Sequence, residues 1–251
     1  MATARQKAEA RVLDAMITRL ARKHALNIGR TIAKDMKAAA QAFEARGNLA
    51  DAALAVDKGK GAMTKALEAS WADGGKAAGT LTAGKLKAHC KREVKAVADT
   101  FASAAITYMR ANALGRIASI QGTTFDDVKR IVEQGFSEGY AVSKIARNIT
   151  QAAPSVSRSR ATIIARTETH AGANVGAFEG AASIGVPMRK VWVAVEDDRT
   201  REEHSRADGQ EIDMDGMFTV GSDSMKFPGD ASASPENVIN CRCAAIYEAA
   251  E

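Results

Sequence analysis

Aromatic residues make up only 5% of this 251-residue chain. A core with so few large rings must be filled by small and aliphatic side chains. The abundance of alanine favours long, closely packed helices over a sandwich or barrel. Cysteine is nearly absent: Cys90, Cys241 and Cys243 are the whole set. Three thiols cannot all pair within one chain, and a disulfide between residues two apart would be strained. No apolar run approaches the ~20 residues of a membrane span. Met1 to Lys7 lack the apolar stretch of a secretory leader. These absences lead to the expectation of a protein made and kept in a reducing cytoplasm, with no membrane partner.

Two signatures of nucleotide and nucleic-acid chemistry are missing as well. The glycine-rich stretch 73–84 has no strand before it and no Gly-Lys-Ser/Thr after it, so it is not a phosphate-cradling loop. It reads as a loop or hinge. No basic patch is interleaved with aromatics for base stacking. Any contact with DNA would therefore run through the phosphates and fade with salt.

What the chain has in quantity is charge, unevenly placed. Lys and Arg outnumber Asp and Glu about two to one over residues 1–120, and the balance reverses over 121–251. The split suggests a basic helical region, 1–120, and a second module, 121–251. Apolar spacing predicts a helix from Ala8 to about Arg46, with Gly29 marking a bend or break. Gly47-Asn48 is a stop, and a weaker helix follows to Trp71. Leu86 to Ile117 is again helical, with Leu86, Cys90, Val94, Val97, Phe101, Ala105 and Tyr108 in one stripe. Cys90 reads there as a small buried residue, and His24 and His89 as structural histidines.

The second module reads as three helices and a small antiparallel sheet, so the fold class is α+β. Thr124 is placed as the N-cap of a helix running to Gln134, Val142–Ile149 as a second helix closed by Pro154, and Ser159–Ile184 as a third. Strand character begins at Lys190–Glu196. It returns around Phe218 and Val220, past the turn signals Asp208-Gly209 and Asp215-Gly216, and again at Cys243–Tyr247.

Chemistry concentrates at the end of the chain. His204, Cys241 and Cys243 are the residue types of tetrahedral zinc. The Cys-x-Cys spacing strains simultaneous chelation, and a fourth ligand would have to be Asp198, Asp230, Glu236 or water. The competing reading has Cys241 and Cys243 alternating in and out of a strand with one of them buried. A third makes Asp198, His204, Cys241 and Cys243 the centre of a metal-dependent nuclease or hydrolase. Arg166 and Glu168 read as buried hydrogen-bonded contacts to the sheet or its loops.

The order Arg166-Thr167-Glu168, Asn174, Trp192, Asp198-Arg199-Thr200-Arg201-x-x-His204, Asp208-Gly209, Phe218, Pro228-Gly229-Asp230 and Asn240-Cys241-Arg242-Cys243 resembles the phage Mu F-like head-morphogenesis family. The resemblance covers roughly residues 124–248. It implies a non-enzymatic minor head protein of a tailed phage or prophage, located in the virion near the portal. Its partners would be the portal protein and the major capsid or scaffolding protein, with packaged double-stranded DNA a further contact of the basic region. Arg166, Glu168, Asp198, Arg201 and Asn240 become structural motif residues, and zinc is the one cofactor the motif could take. Many relatives carry a His just before Asn-Cys-Arg-Cys. Here those positions are Glu236, Asn237, Val238 and Ile239.

Overall fold

The computed structural model describes residues 1–91 and 98–250. Among the described residues, six helices of nine or more residues precede the first strand: α1 (Ala4–Arg46), α2 (Leu49–Asp57), α3 (Lys60–Cys90), α4 (Ala98–Asn112), α5 (Leu114–Ser137) and α6 (Val142–Ala182). Then come β1 (Met188–Val193), α7 (Glu202–Ala207), β2 (Glu211–Asp213), β3 (Phe218–Val220), β4 (Asp223–Met225), α8 (Pro235–Val238) and β5 (Ala244–Ala249). The fold is α+β, as the pattern of helical and strand-like stretches leads one to expect.

Several expected breaks are not breaks. α1 passes straight through Gly29, where a Cβ would stand 3.3 Å from that of Ala161 on α6, so the glycine serves close approach. The supposed hinge 73–84 lies wholly inside α3. A Cβ on Gly172 of α6 would come within 2.6 Å of the Trp71 Cα, and Gly176 and Gly180 likewise meet the backbone of Gly75 and Gly79. Glycines four apart on both helices remove the side chains that would hold two backbones apart, so the stretch is a helix–helix seam. Thr124 is interior to α5, where its hydroxyl donates to the Ile120 carbonyl at 2.8 Å. Pro154 lies inside α6, which merges the second and third expected helices into one. Near Cys90 the expected helix instead ends; Cys90 is half-exposed and His89 exposed. Val94 and Val97 of the stripe lie outside the described residues.

The chain forms two compact units. One holds Lys23–Leu67 and Ala113–Ala165. Its core contains Ile28, Ile32, Met36, Phe43, Val128, Val132, Ile145 and Ile149, all fully buried. Gln121 donates to Asp35 at 3.1 Å and to the Val56 carbonyl at 2.9 Å within it. Arg160 joins Thr124, Asp127 and the Ile120 carbonyl.

The other unit holds Met1–Arg22, Glu68–Asn112 and Arg166–Glu251, and it contains both sheets. β1 is the centre of an antiparallel sheet in the order β2-β1-β5, with Trp192 opposite Ala245 and Val193 opposite Ala244. β3 and β4 form a separate hairpin. Trp71, Trp192, Phe218 and Phe227 are almost wholly buried in this unit. Each of these large rings removes much apolar surface from water.

Candidate functional site

Two short segments of the sheet-containing unit build the site. The first follows β1. Asp197 organises a turn in which its carboxylate accepts from the Arg199 N–H at 3.0 Å and its own N–H donates to Thr200 Oγ1 at 3.1 Å. That turn feeds α7, which places His204 almost fully buried against the edge of Trp192, with ring centroids 5.7 Å apart.

The second segment runs through α8 into Asn240-Cys241-Arg242-Cys243. Asn240 adopts a positive φ of 57°, a conformation that Asn tolerates better than most residues, and its N–H donates to Thr167 Oγ1 at 2.9 Å. Cys241 N–H donates back to the Val238 carbonyl at 3.2 Å, and Cys243 N–H points at Cys241 Sγ at 3.4 Å. The cysteines thus sit in a turn ahead of β5, not alternating along a strand. Both are buried, at 2% and 3% exposure, and both sulfurs face the same way. The turn removes the strain expected of the spacing. His204 Nδ1 lies 3.3 Å from Cys243 Sγ and 3.6 Å from Cys241 Sγ, and the three donor atoms all lie within 4.8 Å of one another.

Asn237 orients the imidazole. Its amide nitrogen donates to Asp223 Oδ2 at 2.8 Å and to the Val220 carbonyl at 3.2 Å, which leaves its oxygen to accept from His204 Nε2 at 3.2 Å. Asp223 is itself held by Ser234 and Asn237, and these bonds pull its carboxyl below the usual range. The two thiols act as a pair. The hydrogen bond from Cys243 draws the Cys241 thiol down, with His170 and His204 helping, while the same bond and burial push Cys243 up.

The other motif residues frame this cluster. Arg242 turns away from the sulfurs and pairs with Asp197 through both guanidinium nitrogens, which holds the carboxyl far below its ordinary value. Arg166 binds Asp14 and Thr18 of α1, and Glu168 accepts from the Trp71 indole of α3 at 2.7 Å. Arg201 donates to the Ile239 carbonyl at 2.7 Å. His170 Nε2 donates to the Cys243 carbonyl at 2.7 Å, and burial pushes this histidine's pKa down.

Of the suggested fourth ligands, none joins the cluster among the described residues. Asp198 is 92% exposed, and Glu236 is exposed. The Asp230 carboxylate accepts from Tyr108, Lys226 and Ser232. Sequence reasoning assigned no role to Asn237, Asp223 and Asp14. The nearest signal was the absence of a histidine at 236–239, where Asn237 now orients one from a distance.

Comparison with known proteins adds the following. Residues 126–246 match the family model described as Phage Mu protein F like protein. The chain is 36% identical over 115 residues to the NAD(+)–arginine ADP-ribosyltransferase EFV of Enterococcus faecalis, a match covering 45% of this chain and 23% of that protein. It is 33% identical over 125 residues to minor head protein GP7 of Bacillus phage SPP1, covering 49% of this chain and 40% of that one. The chain thus spans less than half the length of either curated relative. No solved structure matches it. The motif that ends in the buried cysteine turn and the family match fall on the same stretch, and over residues 126–246 the chain is similar to the Phage Mu protein F like family.

Proposed function

We propose that the chain is a minor head protein of a tailed phage or prophage, non-enzymatic, acting in procapsid assembly at or near the portal. The observation that carries this reading is the family match over 126–246 together with the likeness to a minor head protein. The region 1–120, with its excess of Lys and Arg, would face the portal or the packaged duplex, and 121–251 would form the head-morphogenesis domain. Portal, major capsid and scaffolding proteins are the expected partners, with the virion as the place of residence. Mass spectrometry of purified procapsids and virions tests the reading: the chain is expected in few copies with the portal, and its absence from both particles overturns it.

Within that role the cluster of His204, Cys241 and Cys243 is a structural clasp that zinc would close. With Zn–S near 2.3 Å and Zn–N near 2.0 Å, a tetrahedral ion separates sulfur and nitrogen ligands by about 3.5 Å. The two N···S distances here, 3.3 and 3.6 Å, bracket that value. A bound ion would neutralise the thiolates and tie α7 to the turn before β5. The clasp reading is favoured over the hydrolase reading because Asp198, its intended carboxylate, stands 92% exposed and outside the cluster.

A further inference from the structure

A cleft of about 400 Å³ in the sheet-containing unit is lined by five arginines: Arg22, Arg166, Arg199, Arg201 and Arg242. They come from four separate parts of the chain: α1, α6, the turn before α7 and the cysteine turn. Like charges repel, so such a gathering is costly unless each has a counter-charge. Two are compensated, Arg166 by Asp14 and Arg242 by Asp197.

The other three are not matched in this way. Arg201 is bonded to a neutral carbonyl. Arg199 reaches Asp197 at 3.3 Å, a carboxylate already bonded twice to Arg242, and Asp198 only at 4.0 Å. Arg22 is exposed and makes no ion pair among the described residues. Among the described residues, Asp14 is the one carboxylate in the lining. The cleft therefore carries an excess of positive charge presented as guanidinium forks. Their planar, paired N–H groups match the oxygens of a phosphate better than an ammonium does. The lining contains no aromatic side chain on which a base or sugar ring could stack. Recognition would stop at the phosphates.

We propose that this cleft binds a phosphate-bearing anion, whose oxygens would be held by Arg22, Arg199 and Arg201 between the paired walls of Arg166 and Arg242. The chemistry is the same whether the phosphate belongs to a small free anion or to a DNA backbone, and the site does not depend on the role in the virion.

Calorimetric titration of the full chain with inorganic pyrophosphate at low salt tests it. Saturable binding is expected, weakened at least tenfold in Arg22→Ala/Arg199→Ala and unchanged in Lys129→Ala/Arg130→Ala, whose exposed charges lie on α5. Absence of saturable heat, or equal weakening in both double variants, overturns the proposal. Arg22 and Arg199 are exposed, so the first variant should keep its melting temperature; should it not fold, Arg22→Glu alone is titrated against the same tenfold criterion. Where binding is seen, displacement of pyrophosphate by a short DNA duplex assigns the phosphate to a nucleic-acid backbone. Retention assigns it to a small free anion, and either outcome upholds the cleft.

Discussion

His204 Nε2 lies 3.2 Å from Asn237 Oδ1, and this one bond decides which ring nitrogen faces the sulfurs. The Asn237 amide cannot flip without setting its oxygen against Asp223 and the Val220 carbonyl. Its oxygen therefore accepts, the imidazole carries its proton on Nε2, and the Nδ1 lone pair is free to point at Cys241 and Cys243. The same chain of bonds links the β3–β4 hairpin, α8 and α7 to the cysteine turn.

If zinc closes the proposed clasp, replacing Asn237 with Leu should weaken its binding without touching a ligand. Loss of such an orienting partner typically costs about 10- to 100-fold in metal affinity. Competition against a chromophoric chelator measures it, with Cys241→Ser as the variant that loses a ligand outright. An Asn237→Leu protein with unaltered affinity would show that the ring needs no outer support.

Chelation should destabilise the fold. An ion that binds only the folded state raises stability by RT ln(1 + [L]/Kd), about 2.7 kcal/mol at a hundredfold excess over Kd. Scanning calorimetry with and without a chelator is expected to show a lower melting temperature for the natural chain and no change for His204→Ala. Identical shifts in both would place the effect elsewhere.

Glycine substitutions on the helices should act with opposite signs. In Gly176→Ala the new methyl meets the Gly75 backbone, so α3 and α6 must separate, at about 1–3 kcal/mol or more. Gly84→Ala places its methyl in open space on the exposed side of α3 and should stabilise by about 0.5–1 kcal/mol. Urea denaturation reads both.

Lys190 supplies a pH test. Its side chain is fully buried, donates to the Lys226 carbonyl at 2.8 Å, and lies 5.3 Å from the Phe218 ring centroid. Burial, with the nearby Lys226 charge, lowers its pKa from 10.5 to about 8. Between those values the unfolded chain holds a proton that the folded chain has released. The unfolding free energy must therefore rise with pH across this window, by up to about 1.4 kcal/mol per unit. Denaturation of the natural chain and Lys190→Met at pH 7 and pH 10 should show the natural chain gaining relative to the variant. A constant gap would contradict the lowered pKa.

Much of this was legible before the structure. Val191 and Val193 flanking Trp192 announce β1, and the stripe Ile28, Ile32, Met36 announces the buried face of α1, because periods of two and 3.6 are local properties. The glycines at 74–79 misled for a physical reason. The same missing side chain that loosens a loop also lets two helices touch, and only the partner glycines of α6 decide between the two. Pro154 and Thr124 misled similarly: each has a local preference for a helix start, overridden where the surrounding helix is packed on both sides of it.

The candidate site divides along the same line. His204, Cys241 and Cys243 were recognisable from residue chemistry alone, and so was the order of motifs that marks the Phage Mu protein F like family. Their meeting was not, because the positive φ of Asn240 turns the chain so that both sulfurs face one side, and Thr167 on α6 accepts the hydrogen bond from that residue's N–H. Nor was the arginine cleft, whose five side chains lie as far as 220 positions apart in the chain. By itself the sequence determined which residue types could ligate a metal and where the strongly periodic stretches of α1 and β1 lie, since those depend on side-chain type and near neighbours. Which of those residues share a space was decided only by tertiary structure, because it depends on where distant segments are packed.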